Sequence, residues 1–270
     1  MKTLKPDNSE YAIDHTPMTT SRYGCSTLCC LDRPLSDGLA LVREKTDRIE
    51  IISEGFHDLF RYHEACQSVD AQYSVHAPIS DLNIASTNDC IRMAGLAVIE
   101  DLCGICDSIH ASTLVVHPGY FPWANMQALS YDALLLSLDA ICAIQQEHDV
   151  RIGIENMGAW ECLHFRQPDF LPELERRDIG FVLDVGHASI NHALEEFAHT
   201  SRPCHVHLHD NCGKNDDHAA CGTGTIDFAT LLPLLPASAS RVIECSNIEA
   251  YEKSVAYLSS LENQRERSPG

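Results

Sequence analysis

Eight short β-type runs alternate along the chain with eight longer apolar-periodic stretches, a rhythm that belongs to parallel βαβ units. The β-type runs cover 23–29, 48–53, 72–76, 113–117, 151–155, 180–184, 204–208 and 241–244. The helical patterns cover 36–44, 56–67, 87–110, 130–148, 169–175, 189–197, 228–235 and 248–261. LVVH, GFVLD and RVIE are continuous apolar runs, as expected of strands covered by helices. Eight such units predict an α/β fold, a single closed (β/α)8 barrel with its active site at the C-terminal rim. The alternative is a doubly wound open sheet. YGCSTLCC, the first run, lacks the glycine-rich dinucleotide fingerprint, which counts against it. The 270-residue length fits one barrel. Residues 22–262 are assigned to it, 1–21 to a polar N-terminal extension, and 263–270 to a polar tail expected to fray.

Across the barrel segments, the runs from the third to the eighth each lead into a histidine or a carboxylate. They are His76 in YSVHAP, His117 in LVVHPG, Glu155 in IGIEN, Asp184 in FVLDVGH, His207 in HVHLHD and Glu244 in RVIE. His187 follows Asp184 by three residues, and Asp216 and His218 lie in the loop after His207. Any one of these alone reads as an ordinary hydrogen-bonded residue. Together they recur at one point of a repeating unit, and barrel topology brings that point to one rim. A carboxylate ending a buried strand also needs a counter-charge, which a metal supplies. The nine residues are therefore predicted metal ligands. With no cysteine among them, they suit a hard or borderline divalent cation, Zn, Mn or Co. Five imidazoles argue against Mg alone, and nine ligands exceed the needs of one ion, so one to three ions per chain are expected.

Composition narrows the partner. Thirty-nine acidic residues against 19 Lys plus Arg give a net charge of −20, the reverse of a phosphate-binding surface. A small substrate is expected over nucleic acid. The thirteen cysteines show no extracellular spacing framework. MKTLKPDNSE has no apolar core of a signal peptide, and no run reads as a membrane span. A reduced cytoplasmic setting is expected, with oligomerisation left open. Cys103-x-x-Cys106 falls inside a helical pattern and is read as core.

HAP at His76, HPG at His117, ENM at Glu155, LDVGH at Asp184–His187, and HLHDN followed by DDHAACGTGTIDF carry a family resemblance. In order and spacing they resemble the xylose isomerase-like TIM-barrel superfamily, which holds sugar isomerases and epimerases as well as endonuclease IV. The resemblance spans roughly residues 23 to 261. Carried over, the endonuclease IV pattern implies three metal sites: His76, His117 and Glu155; Glu155, Asp184, His207 and Glu244; His187, Asp216 and His218. The epimerase branch implies the central four, with Glu155 and Glu244 facing each other across the substrate and shuttling a proton. The expected function is a metal-dependent isomerase or epimerase of a sugar or sugar phosphate. The alternative is an endonuclease IV-like phosphodiesterase acting on abasic DNA.

The rim loops favour the first. APISDLNIASTND has no basic residue, and PGYFPWANM is aromatic and uncharged. Tyr120, Trp123 and Trp160 are assigned to the wall of a sugar pocket, since aromatic faces pack on sugar C–H surfaces, while Phe121 fits core or wall. His209 lies on the strand face of His207 and is read as a substrate contact or an alternative ligand. Asp210 is read as a possible partner of a ligand imidazole, Gly222-x-Gly224 as a tight turn, and Asp227 as a helix cap. Glu54 and Lys214 are read as solvated loop residues.

Overall fold

The computed structural model describes residues 21–267. The expected extension 1–21 lies outside the described residues apart from Ser21, as do 268–270 of the tail. Eight parallel strands close into a barrel in sequence order: β1 Gly24–Ser26, β2 Arg48–Ile52, β3 Gln72–His76, β4 Thr113–Val116, β5 Arg151–Glu155, β6 Gly180–Asp184, β7 His205–Leu208 and β8 Ser240–Ile243. β8 pairs with β1, so the open-sheet alternative falls.

Nine α-helices flank the described barrel: α1 Leu35–Arg43, α2 Leu59–Tyr62, α3 Asp89–Ile109, α4 Gln127–Gln145, α5 Leu171–Glu175, α6 Val185–Ile190, α7 Leu194–Thr200, α8 Phe228–Leu231 and α9 Ile248–Arg267. Asn88 caps α3 by accepting from the N–H groups of Cys90 and Ile91, and the helix buries Cys103 and Cys106. The CxxC spacing is thus a core stripe, as expected.

Several boundaries differ from the sequence expectation. β1 is three residues long and turns at once into a 3-10 segment, Thr27–Cys30. The 56–67 stretch is short α2 between two 3-10 turns, and 189–197 is split where His192 takes a left-handed φ of 55°. α8 stops after four residues; Leu232 still has helical backbone, but Pro233 has no N–H to continue the helical hydrogen bonds. α9 continues to Arg267, so most of the expected tail is helical. Ala124–Gln145, with a mean hydropathy of 1.4, is long and apolar enough by composition to cross a membrane, contrary to expectation. In the barrel Leu134, Leu138 and Ile141 pack into the core, while Leu129 and Leu136 stay exposed.

Strand register sets up the site. Asp184 pairs with His207, His76 with Val115, and Glu155 with Val182, so the polar residues reach the same rim in adjacent strands.

Candidate metal centre at the C-terminal rim

Glu155, the last residue of β5, is the hub of the rim and is fully buried. Its Oε2 lies 3.1 Å from His76 Nε2 and 3.2 Å from His117 Nε2. Its Oε1 lies 3.3 Å from His187 Nδ1 and 3.4 Å from His207 Nδ1. One carboxylate therefore faces four imidazoles from four different barrel segments.

The next strand delivers Asp184 by a local device. As N-cap of α6, its side chain accepts from the His187 N–H at 2.6 Å, so a short helix begins where the strand stops. Asn156 clamps the same point: its Nδ2 donates to the Asp184 carbonyl at 3.0 Å, and its Oδ1 accepts from the Asp184 N–H at 2.8 Å. That is the role of the Asn in ENM. Asp184 Oδ2 is 3.8 Å from His207 Nδ1, and Glu244 Oε2 approaches that nitrogen to 3.6 Å. Ser26 donates to Glu244 Oε1 at 3.4 Å.

The loop after β7 brings in the rest. Asp216 Oδ2 sits 3.0 Å from His187 Nε2 and 3.3 Å from His218 Nε2. His218 itself takes a left-handed φ of 43°. Asp210, expected as a possible partner of a ligand imidazole, instead organises this loop. Its carboxylate accepts from the N–H groups of Asn211, Gly222, Gly224 and Ile226. A Cβ on Gly224 would strike Asn211 and Asp210. Asp227 caps α8 through the Thr230 N–H, as expected.

All nine expected ligands thus meet at one rim. Ligand atoms of His76, His117 and Glu155 lie within 4.8 Å of one another, as do those of Glu155, Asp184 and His207, and those of His209, Asp216 and His218. Of the two readings of His209, the place among the ligand groups fits and the substrate contact does not. It is fully buried with Nε2 3.1 Å from Asp184 Oδ1, behind the cavity rather than lining it. Gly186 makes this possible, since a Cβ there would strike the His209 ring. Two residues of the site were not singled out from sequence. Glu50 on β2 and His205 on β7 lie beneath the rim, both fully buried. The signal for His205 was the H-x-H-x-H alternation, which turns residues 205, 207 and 209 to one face. Glu50 in RIEII carried only an unexplained acid within an apolar strand.

A cavity of about 770 Å³ opens over the cluster, and Glu155, Glu244, His117 and Asp216 line it. Tyr120 and the largely exposed Trp160 contribute to its walls. Trp123 does not; it is 70 % exposed and lies outside the lining. Phe121 is buried in the core. Lys214 is the single Lys or Arg among the lining residues. Glu54 accepts from the Ile79 N–H and braces the neighbouring loop.

Electrostatics bind the cluster. Burial raises the Glu155 carboxyl, but the facing imidazoles, His207 foremost, outweigh it and hold it well below the ordinary range. Burial likewise disfavours charge on His187 and His207, yet the surrounding carboxylates lift both well above an ordinary histidine. Against the same burial, His218 is pushed up to about 9 by Asp216 and Glu244. At His117 burial wins, and that imidazole is lowered.

The donor set fits a divalent cation. Three carboxylates surround His207 Nδ1 at 3.4–3.8 Å without a lysine or arginine among these contacts, so positive charge belongs between them. Mixed imidazole and carboxylate donors of this kind could hold such a cation.

The chain is similar to several known proteins. An uncharacterized protein of Methanocaldococcus jannaschii is 32 % identical over 232 residues, covering 84 % of this chain and 92 % of the relative. A probable endonuclease 4 of Mycobacterium leprae is 28 % identical over 198 residues, covering 68 % of this chain and 76 % of its own. The solved structure of a D-tagatose 3-epimerase-like protein superposes with a TM-score of 0.80 at 29 % identity, covering 91 % of this chain and 98 % of that one. A zinc-bound IolI protein shares the fold, with a TM-score of 0.72 at 15 % identity over 90 % of this chain and 97 % of that one. The family model described as xylose isomerase-like TIM barrel matches residues 40–261, and the chain belongs to that family.

Proposed function

We propose that this protein is a metal-dependent isomerase or epimerase acting on a small sugar or sugar phosphate. The observation that carries the reading is the pair Glu155 and Glu244. They come from the end of β5 and from just after β8, approach His207 Nδ1 to 3.4 and 3.6 Å, and both line the cavity. Glu155, Asp184, His207 and Glu244 would hold a divalent cation, which would supply positive charge to polarise a substrate carbonyl and acidify the adjacent C–H. The chain's residues do the rest. Glu244 takes or returns the proton at that carbon, with Ser26 orienting its Oε1. Glu155 serves as the opposing carboxylate. Tyr120 and Trp160 wall the cavity and exclude water from one side of the substrate. The acidic surface and the single lining cation, Lys214, favour a small polyol over a nucleic-acid backbone.

A second reading has its own observation. His76 and His117 turn toward Glu155 Oε2 rather than away, completing a ligand set large enough for three cations. That favours hydrolysis of a phosphoester, as the name of the Mycobacterium relative suggests.

One experiment separates them. Metal-loaded protein is incubated in deuterated water with a panel of ketoses and ketose phosphates, and in parallel with duplex DNA carrying an abasic site. Deuterium incorporated beside the carbonyl, without nicking, supports the isomerase. Nicking without exchange overturns it.

A further inference from the structure

Barrels of this kind ordinarily fill their interior with branched apolar side chains. Here the layer beneath the rim is polar: Glu50 on β2, Ser74 on β3 and His205 on β7 are all buried. Ser74 donates to Glu50 Oε2 at 2.9 Å, and Ser240 Oγ lies 2.6 Å from His205 Nδ1. The remaining polar atoms have no such use. Glu50 Oε1, His205 Nε2 and His207 Nε2 are buried without a hydrogen-bond partner. They are nevertheless neighbours. His205 Nε2 lies 2.8 Å from Glu50 Oε2, and His207 Nε2 lies 2.8 Å from Glu50 Oε1, without hydrogen-bond alignment in either case. One ligand atom from each of the three residues falls within 4.8 Å of the others.

A buried polar atom without a partner costs stability, and a buried carboxylate more so. A bridging water or a cation can satisfy several such atoms at once. The donor chemistry favours the cation. Two imidazoles and a carboxylate are a ligand set for zinc, cobalt or manganese. Among the described residues, no lysine or arginine pairs with Glu50 to neutralise it. The two rings stand at 88° with centroids 5.1 Å apart, so they approach the carboxylate from different directions, as ligands around one ion do. Neither Glu50 nor His205 lines the cavity, so a cation there is closed off from substrate, as structural sites are.

We propose a second, interior metal site, in which Glu50, His205 and Nε2 of His207 hold one divalent cation beneath the rim. The ion staples β2 to β7, strands that are not neighbours in the barrel, across its interior. His207 links the two levels: Nδ1 faces Glu155, Asp184 and Glu244, and Nε2 faces the interior. With both levels filled, the ring bridges two cations and its N–H proton has left to solvent. The site stands on the buried atoms, not on which reaction the rim performs.

Crystals of the zinc-loaded protein, measured on both sides of the zinc absorption edge, test it. The expected result is an anomalous peak about 2.0–2.2 Å from His205 Nε2, His207 Nε2 and a Glu50 oxygen. Rim peaks with no anomalous peak between Glu50 and His205 overturn the interior site and leave the rim reading standing. Density there without anomalous signal, as a water gives, overturns it equally. An interior peak beneath a bare rim supports the interior site and counts against the metal-dependent reading of the rim. No zinc at either level overturns both. Glu50→Leu combined with His205→Leu restores the apolar filling of the layer and supplies a second measurement. Zinc per chain, counted by native mass spectrometry, is expected to fall by one ion; an unchanged count overturns the proposal. Should the double variant fail to fold, the anomalous map alone decides.

Discussion

Two regions of this barrel bury histidine and do opposite things with it. Under the β4 and β5 loops, His164 is 5 % exposed, between Phe121 and Tyr131, with Ser130 Oγ 2.9 Å from its Nε2. Burial alone acts on it, and its pKa falls to about 4. At the rim, His207 is fully buried and His187 is 7 % exposed, yet the carboxylates beside them raise both. The difference is the neighbouring acid, not the depth of burial. An imidazole in an apolar nest is a packing element with a polar edge. One in an acid nest is held in its protonated form by the charges around it.

The strongest way to break this contrast is to remove the acid at the hub. Glu155→Ala withdraws the oxygens facing four imidazoles, and zinc binding is expected to weaken by more than about 100-fold, beyond the loss from a supporting carboxylate alone. Zinc retained per chain after dialysis, read by elemental analysis, checks it; full retention would remove Glu155 from the centre.

Proton competition comes next. Because the rim imidazoles are raised, with His218 at about 9, zinc must displace protons at neutral pH. Affinity is expected to climb as pH rises toward 9, by about tenfold per unit for each proton displaced. A flat profile between pH 6 and 9 would contradict the charge assignment.

Bound metal is expected to stabilise the fold as well. At zinc about 100 times its Kd the native state gains about 2.7 kcal/mol, a rise of roughly 5–10 °C in melting temperature for a domain of this size. Thermal unfolding with and without a chelator measures it, and coincident curves would count against a resident cation.

The smallest expected effect lies in the apolar nest. The folded pKa of His164 is about 4, below the ordinary value of 6.5, so the neutral ring is the form the fold accepts. Its contribution is present above pH 6.5 and is lost as pH falls through 4. His164→Gln should flatten the decline in stability over that window while leaving zinc affinity unchanged. If zinc affinity moves instead, the two regions are not independent.

The nine expected ligands were readable because each follows an apolar strand or a family motif, and barrel topology sends every strand end to one rim. Other features were not readable, for identifiable reasons. Glu50 has no motif around it, and its neighbours His205 and His207 lie more than 150 residues away in sequence. His209 was expected either at the substrate or among the ligands, and the absent side chain at Gly186 decides for the second, letting it turn against Asp184. Trp123 and Trp160 look alike as exposed aromatic loop residues, and only loop path separates the one outside the cavity lining from the one within it.

The sequence alone therefore determined the repeating architecture and which histidines and carboxylates gather at the rim. Strand periodicity and ligand type are local, written in consecutive residues. Which oxygen faces which nitrogen, which histidine stays neutral and which acid lies beneath a ligand were decided only by tertiary structure. Those depend on distances between strands far apart in the chain, and charge interactions in a water-poor interior turn on ångström separations that no local pattern encodes.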